Sequence, residues 1–395
     1  MRILALTPLL PDPRSTAGGA IVMYEQLRRL ARRHDVRLLS LVTAADLAVG
    51  AADAIRAAGV ETVLVPRDYA RMRILRQGAL AVRWLAGGRP LRVEAFRSAA
   101  LQRAIAAAAM AERFDVVHVE DAAMGTYHLP PEVPRLLIEH EVRDRAGPAG
   151  PARRMMSDAL RWPAYQRAVW RKFDAIQVFT ERDAHAIGQS APEVRDRIFV
   201  NPFGATIGPA EAVTDEARRE IVFVGGFQHL PNVDAALWLA DDIFPEVLRS
   251  HPDARLTIVG SDPPRAVRSL AGPHVQVTGR VPDTDLYLRR AAVVAAPLRE
   301  GGGMRVKVLQ AMAMGKALVA TPLAAEGLRI DAGPPALRIA ATAQAFARAL
   351  VELLASPIER SALGAQARAY VEREHDWDRY VGRIEAAYAA LVSGE

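Results

Sequence analysis

The sequence predicts an α/β protein with two doubly wound parallel sheets, each covered by helices on both faces. Short runs rich in Val, Ile and Leu alternate with helical patterns, which is typical of strands buried within a parallel sheet. This alternation occurs twice along the chain. At 395 residues the chain also exceeds what one hydrophobic core usually supports, so we expect two domains.

The apolar runs of the first half predict a set of strands separated by helices. In chain order these strands are 2–7, 36–42, 61–65, 115–119, 135–139, 174–180 and 197–200. The second half predicts strands at 220–224, 255–259, 274–278, 292–296, 317–320 and 336–339.

The segment that joins the halves, residues 201–215, is rich in Pro, Gly and small residues and predicts a linker. The last amphipathic pattern, residues 377–391, has no strand after it, which favours a helix that packs back on another domain. We therefore predict an N-terminal domain at 1–205, a C-terminal domain at 206–375 and a returning helix at 376–395.

Composition and charge exclude some classes of protein and favour others. The chain has no cysteine, which excludes disulfides, and it shows neither an apolar run long enough to span a membrane nor a signal peptide. We therefore expect a cytoplasmic protein. The cationic excess lies in residues 1–200, which favours an anionic partner such as a membrane surface or a lipid-linked phosphate over nucleic acid. The basic segment 67–97 predicts either a helix on the inner face of a membrane or an ordinary surface helix.

The first candidate ligand contact is the turn after strand 2–7. Gly18 and Gly19 stand directly before a helix, so the backbone can approach a ligand and the helix can offer N–H groups to an anion. The segment has neither a Walker A pattern nor a dinucleotide fingerprint. The segment is interpreted either as a contact to a phosphate or sugar or as a flexible turn before the helix.

The second candidate follows strand 292–296, where a glycine cluster leads into a helix with two cations. This combination favours a diphosphate site at the carboxyl end of the strand over a structural glycine cluster followed by solvated charges. The residues are Glu300, Gly301, Gly302, Gly303, Met304, Arg305 and Lys307. A third turn, at Gly225 and Gly226, repeats the order of strand, Gly-Gly turn and helix seen at the first one. It is interpreted either as a second ligand contact or as a purely structural turn.

Histidine and acidic residues at strand ends form a fourth candidate. His140 ends a strand and can donate to a phosphate or a developing negative charge, and His118 and Glu120 end the strand before it. A structural role is the alternative for each. The residues around His140 do not complete a zinc motif, and Asp283 and Asp285 fit helix capping better than metal binding. We therefore predict no metal site.

Together these segments resemble glycosyltransferase family 4, the retaining enzymes of the GT-B fold, most strongly from Ile221 to Leu328. The motifs that carry the resemblance are Phe223-Val-Gly-Gly226, Leu256-Thr-Ile-Val-Gly260, Val277-Thr-Gly-Arg-Val281 and the segment from Glu300 to Gly315.

The resemblance implies two domains that face each other across a cleft, with a nucleoside-diphosphate sugar as co-substrate. It places a group of residues at the donor: Gly225, Gly226, Gly279, Arg280, Val281, Glu300, Gly301, Gly302, Gly303, Met304, Arg305, Lys307 and Gln310. Gly18, Gly19 and His140 complete the site from the acceptor domain. No tightly bound cofactor and no catalytic metal are implied, and the acceptor hydroxyl belongs to a lipid-linked saccharide, a polysaccharide or a small molecule.

One departure from the family pattern bears on function. Gln310 stands where the family has a glutamate that contacts the ribose, and glutamine can still donate to and accept from hydroxyls. The alternatives to a glycosyltransferase are therefore a nucleotide-sugar-binding protein without turnover and, less favoured, a nucleotide-sugar epimerase.

Overall fold

The computed structural model describes residues 1–15, 18–43, 46, 51–67, 88–140, 142, 161–208, 219–301, 306–328 and 336–394. The strands of the first sheet are β1 (Arg2–Thr7), β2 (Asp35–Val42), β3 (Glu61–Pro66), β4 (Val116–Glu120), β5 (Arg135–Ile138), β6 (Ala175–Val178) and β7 (Ile198–Val200). Those of the second sheet are β8 (Glu220–Val224), β9 (Arg255–Val259), β10 (Val275–Val277), β11 (Val293–Ala296), β12 (Leu318–Ala320) and β13 (Arg338–Ile339).

The described helices cover the sheets. In the first half they are α1 (Gly18–Leu30), α2 (Ala51–Ala57), α3 (Leu91–Phe96), α4 (Ala99–Ala111), α5 (Arg161–Trp170) and α6 (Glu181–Ser190). In the second half they are α7 (Leu230–Trp238), α8 (Phe244–Ser250), α9 (Arg265–Arg268), α10 (Asp285–Arg290), α11 (Val306–Ala313), α12 (Ala343–Ala355), α13 (Pro357–Glu374) and α14 (Trp377–Ser393).

The first sheet has the order β3-β2-β1-β4-β5-β6-β7, and its strand pairs are parallel. Its central strands are buried on both faces. Residues 3–6 of β1 are fully inaccessible, and every residue of β4 is buried. This burial explains why β1 contains a continuous apolar run and why the sequence predicted a parallel sheet.

The second sheet has the order β10-β9-β8-β11-β12-β13 and is also parallel. In both sheets the chain first winds to one side of the opening strand and then crosses to the other side. Each strand predicted from the sequence is present, with ends that differ by at most two positions. The predicted α/β class with two doubly wound parallel sheets is therefore confirmed.

The chain divides into two compact units. The first unit contains Met1–Pro13, Gly19–Pro202 and Asp378–Glu395, and the second contains Arg14–Gly18 and Phe203–Trp377. The domain boundaries placed after residues 205 and 375 stay predictions. Residues 209–215 of the predicted linker and residues 68–87 of the basic segment lie outside the described residues.

Helix α14 packs within the first unit although it ends the chain. Tyr380, Ile384 and Tyr388 are buried on one face of the helix, as their spacing of four residues requires. On a neighbouring face, Glu385 pairs with Arg33 and His34 after α1. Among the described residues, no helix combines the length and apolarity needed to cross a bilayer.

Candidate functional site

In the first unit, the winding direction of the sheet changes between β1 and β4. Ligands of doubly wound folds bind outside the carboxyl ends of the strands at such a point. β4 carries His118 and ends at Glu120, and His140 lies two residues beyond the end of β5. The structure therefore brings these three predicted residues together at one edge of the sheet.

Glu120 is the centre of a buried hydrogen-bonded cluster. Its Oε2 lies 2.5 Å from Nε2 of His140. Its Oε1 accepts from Nε2 of Gln26 at 2.7 Å and lies 2.8 Å from Nε2 of His118. Both Glu120 and His118 are fully buried. Their predicted direct contact with a ligand stays a prediction.

Within this cluster the pKa of Glu120 is lowered and the pKa of His140 is raised. Burial alone would raise the pKa of Glu120, but the hydrogen bonds and charges of His118 and His140 lower this pKa to about 2. Burial alone would lower the pKa of His140, but the hydrogen bond and charge of Glu120, with the charges of Asp121 and Glu139, raise it. An ionised carboxylate therefore favours the imidazolium form of His140.

His140 is the accessible end of the cluster, since its side chain is 18% exposed. Its Nδ1 lies 3.6 Å from the point that a Cβ on Gly19 would occupy, and its ring meets Phe179 edge to face. Gly19 stands in the first turn of α1, where N–H groups lack helical partners and the helix dipole is positive. A ligand that accepts hydrogen bonds at Nδ1 would therefore also meet a favourable field for negative charge.

Two further acids lie next to His140. Asp121 has a φ of +75°, accepts from the backbone N–H of Ala123 and pairs with Arg92. Glu139 is buried and accepts from Nε1 of Trp170 at 2.9 Å. Burial and the charge of Asp121 raise the pKa of Glu139. Of these acids, Glu120 is the one whose hydrogen bond orients the His140 ring.

In the second unit, the winding direction changes between β8 and β11, so the turns after these strands are expected to meet a ligand. Gly225 and Gly226 form the turn after β8. A Cβ on Gly225 would lie 2.8 Å from Cγ of Asn232, which is too close, and Nδ2 of Asn232 donates to the carbonyl of Gly226. Packing alone explains the glycine at 225, and its predicted contact with the donor stays a prediction.

The loop after β11 contains Glu300 and Gly301, both partly exposed. Gly301 has a φ of +99°, a conformation that favours glycine. The preceding Arg299 makes two hydrogen bonds to Asp234 of α7 and lies over the ring of Trp238. This pair ties the loop after β11 to the helix that follows the turn after β8. Gly302, Gly303, Met304 and Arg305 lie outside the described residues.

Lys307 and Gln310 of α11 meet the start of α10. Nζ of Lys307 donates to Oε1 of Gln310 at 2.9 Å and to Oγ1 of Thr284 at 3.2 Å. Nε2 of Gln310 donates to the carboxylate of Asp285. The amide at 310 is thus used on both sides, because its oxygen faces a cation and its nitrogen faces an anion.

Lys307, Gln310, Thr284 and Asp285 form a second cluster, and burial shifts the pKa of its two charged groups, Lys307 and Asp285. Burial lowers the pKa of Lys307, and the charges of Asp285 and Asp283 partly oppose this effect. Burial and the charge of Asp283 raise the pKa of Asp285, against the influence of Lys307. The two groups therefore stabilise each other's charged form inside a site that disfavours charge.

Asp283 and Asp285 flank the N-cap of α10. Oδ1 of Asp283 accepts from the backbone N–H of Asp285 at 2.8 Å. The N-cap residue is Thr284, whose side chain makes no capping hydrogen bond, so Asp283 is not the N-cap that the capping interpretation expected, whereas Asp285 is the expected acid of the first turn. Gly279, Arg280 and Val281 lie between β10 and this helix. Arg280 is exposed. The placement of these three residues beside a nucleotide base stays a prediction.

Three residues of the clusters were not found from the sequence, namely Gln26, Tyr380 and Tyr388. Asp285 was assigned to helix capping, and its contact with Gln310 was not predicted. Tyr380 donates from Oη to Oε1 of Gln26 at 2.6 Å, and Oη of Tyr388 lies 2.6 Å from Nδ1 of His118. The regular spacing of the two tyrosines along α14 was the available signal, but it does not reveal what the helix face contacts.

A comparison with protein families agrees with this geometry. Residues 218–356 match the family described as glycosyl transferases group 1. This part of the chain is a group 1 glycosyltransferase domain. It holds the turn after β8, the loop after β11 and the Lys307 cluster. The resemblance is confirmed at the level of group 1, whereas the numbered family and retention stay predictions.

Two curated relatives of this chain are named as mannosyltransferases of phosphatidylinositol-based lipids. The phosphatidyl-myo-inositol mannosyltransferase of Mycobacterium tuberculosis is 28% identical over 221 residues, which cover 52% of this chain and 56% of that protein. The GDP-mannose-dependent monoacylated alpha-(1-6)-phosphatidylinositol monomannoside mannosyltransferase of Corynebacterium glutamicum is 33% identical over 159 residues, 34% of this chain and 38% of that protein. The chain thus spans about half or less of the length of these relatives.

The fold is found in solved structures across its full length. Sucrose-phosphate synthase from Thermosynechococcus elongatus has a TM-score of 0.71 at 16% identity, and the match covers all of both chains. The GT-B fold class implied by the resemblance is therefore confirmed.

Proposed function

We propose that the protein is a hexosyltransferase that moves a sugar from a nucleoside-diphosphate sugar to an acceptor hydroxyl. The observation that carries this proposal is the second unit's switch point. There, the turn at Gly225 and Gly226 and the loop at Glu300 and Gly301 lie in a group 1 glycosyltransferase domain, with Lys307 on the helix that follows.

In this proposal the leaving diphosphate is stabilised by the second unit. We expect backbone N–H groups of the glycine-rich loop and the cation of Lys307 to stabilise the charge that develops when the glycosidic bond breaks. Arg305 supplies a second cation. Protein groups neutralise the diphosphate, and no metal is required.

The first unit contributes His140. Its raised pKa keeps a larger share of the ring protonated near neutral pH, so Nδ1 donates a hydrogen bond to an oxygen that gains negative charge. Glu120 holds Nε2 of the same ring, which leaves Nδ1 for the ligand. The N-terminal turn of α1 favours the same anionic partner.

GDP-mannose is the first donor to test and an inositol- or saccharide-bearing lipid is the first acceptor class. The support comes from the names of the relatives, one of which is GDP-mannose-dependent and both of which act on phosphatidylinositol-based lipids. The cationic excess of the first 200 residues suits a peripheral contact with an anionic membrane face. Retention at the anomeric carbon is implied by the family resemblance.

Gln310 bears on the rival interpretation of a binding protein without turnover. Its amide is matched to Lys307 on one side and to Asp285 on the other, so the position is built for an amide. We therefore propose that the departure from glutamate preserves the donor site.

Calorimetry with UDP, GDP, ADP and TDP, followed by turnover of the corresponding sugars, tests the proposal. We expect one nucleoside diphosphate to bind and its sugar to be consumed, and Lys307→Met to weaken that binding. Lys172→Met, which changes a lysine of the first unit, is the matched control. Binding without consumption would favour the binding protein, and conversion of the donor to an isomer without acceptor would favour an epimerase.

A further inference from the structure

We propose that Tyr388 of the C-terminal helix is a positioning residue for His140, acting through His118 and Glu120. This inference rests on the proposed function for the part that concerns turnover. The contacts themselves lie within the first unit and form one continuous chain of hydrogen bonds.

The series of hydrogen bonds begins at Tyr388 of α14. Oη of Tyr388 lies 2.6 Å from Nδ1 of His118, and the two rings meet edge to face with centroids 6.1 Å apart. Nε2 of His118 lies 2.8 Å from Oε1 of Glu120. The other carboxylate oxygen of Glu120 lies 2.5 Å from Nε2 of His140.

The ionisation of Glu120 fixes the direction of its hydrogen bond to His140. An ionised carboxylate only accepts, so Nε2 of His140 carries a proton. Nε2 of His118 lies 2.8 Å from Oε1 of Glu120 and 2.8 Å from Nε2 of Gln26, so it either donates to the carboxylate or accepts from the amide. Nδ1 of His118 is hydrogen-bonded to the hydroxyl of Tyr388 in either arrangement, because a hydroxyl can both donate and accept. Burial and the charge of Glu120 raise the pKa of Tyr388 well above its ordinary value, which keeps that hydroxyl protonated.

Because the residues that lead to His140 in this series of hydrogen bonds are buried, each of them depends on its protein partner. His118, Glu120 and Tyr388 are all fully inaccessible, so water cannot replace a lost partner. Deleting the Tyr388 hydroxyl therefore leaves Nδ1 of His118 unsatisfied and frees the His118 ring to change tautomer or rotate. Either change alters the carboxylate that orients His140.

A second contact from α14 secures the same carboxylate. Tyr380 donates to Oε1 of Gln26, whose Nε2 donates to Glu120, and Nε2 of Gln177 donates back to Tyr380. Two residues of the last helix thus reach Glu120, Tyr388 through His118 and Tyr380 through Gln26, and Nε2 of Gln26 also lies 2.8 Å from Nε2 of His118. The end of the chain is part of the machinery that fixes the His140 ring.

The charged groups around His140 determine what an NMR titration of its ring reports. The titratable groups that face its ring are Glu120 and Asp121 after β4 and Glu139 beside it, and Phe179 supplies an uncharged ring edge. Only Glu120 among these acids is hydrogen-bonded to His140 and connected to α14 in the described residues. A change in the titration of His140 on altering Tyr388 must therefore pass through Glu120.

The test uses the full chain with labelled histidines, and NMR follows the pKa and tautomer of His140. We expect Glu120→Gln to lower the pKa of His140 by about one to three units, because an opposite charge is removed. Tyr388→Phe is expected to displace the titration of His140, and to do so only while Glu120 is present. Tyr127→Phe is the control, because its hydroxyl is also buried in this unit but bonds to the backbone of Phe96 and Ser98.

A double-mutant cycle on donor turnover gives a second readout. Tyr388→Phe is expected to lower turnover about tenfold in the wild-type background and to have no further effect in His140→Ala. A titration of His140 that is unchanged in Tyr388→Phe, or equal losses in both backgrounds, would overturn the inference. If the wild type consumes no donor, the proposed function fails, whereas the NMR result still decides the role of Tyr388.

Discussion

Oε2 of Glu120 lies 2.5 Å from Nε2 of His140, and this contact joins a fully buried carboxylate to a partly exposed imidazole. Against the effect of burial, His118 and His140 lower the pKa of the Glu120 carboxyl, and the Glu120 carboxylate raises the pKa of the His140 ring. Orientation and charge of the candidate catalytic group thus depend on one pair.

The acid stability of the protein should depend on this pair. Glu120 has an ordinary pKa of 4.5 and a pKa of about 2 in the fold. Its ionisation therefore contributes stability that is fully present above pH 4.5 and is lost as the pH falls towards 2. We expect the melting temperature of wild type to fall more steeply over this window than that of Glu120→Gln. Parallel melting curves against pH would contradict the role of Glu120, and Asp115→Asn on the surface serves as control.

The charge of Lys307 should matter for both binding and folding. Lys307→Met keeps most of the apolar stem and removes a cation that burial already disfavours. We expect the affinity for a nucleoside diphosphate to fall by about 1.5–3 kcal/mol, the usual range for a hydrogen bond to a charged group. The melting temperature is expected to fall as well, because Asp285 loses the cation that stabilises its charge. Calorimetric titration measures this loss. Unchanged affinity would place the diphosphate elsewhere.

Position 310 should tolerate glutamate only when position 285 is neutral. Gln310→Glu places a second carboxylate against Asp285, and like charges in a buried site destabilise each other. We expect this variant to lose stability and nucleotide affinity. Gln310→Glu combined with Asp285→Asn should recover both, because the amide and carboxylate have exchanged places. Additive losses in the double variant would show that the two side chains do not interact.

Two glycines of the second unit should respond differently to alanine. A Cβ on Gly260 would lie 1.8 Å from the carbonyl oxygen of Gly225, so the backbone of β9 and of the turn after β8 would have to move apart. We expect Gly260→Ala to cost more than about 3 kcal/mol of unfolding free energy. Gly208 has open space around it, and Gly208→Ala is expected to stay within about 0.5 kcal/mol of wild type. Chemical denaturation compares the two variants.

Much of the fold could be predicted because its signals are local. The strands are short apolar runs separated by helical periods, and the turns after β1, β8 and β11 are marked by glycines. The strand-end positions of His118, Glu120 and His140 also followed from the pattern. A parallel sheet brings strand ends to one edge, so proximity of these residues was expected before any distance was known.

The partners of these residues could not be predicted, since they come from distant parts of the chain. Tyr388 lies 270 positions from His118, and Asp285 lies 25 positions from Gln310. Which side chain fills such a place depends on how helices pack on the sheets, and amphipathic spacing reveals a buried face without its neighbours. For the same reason the glycine at 225 looked like a ligand contact, whereas packing against Asn232 suffices to explain it.

The most direct test of the proposed activity is release of nucleoside diphosphate from GDP-mannose and UDP-glucose by wild type, His140→Ala and Glu120→Gln. Parallel calorimetry would measure diphosphate affinity. We expect wild type to consume one donor, His140→Ala to lose about 100-fold or more in turnover, and the affinity for the diphosphate to stay unchanged. Turnover by His140→Ala at the wild-type rate, or no release from either donor by wild type supplied with lipid acceptors, would contradict the proposed role of His140.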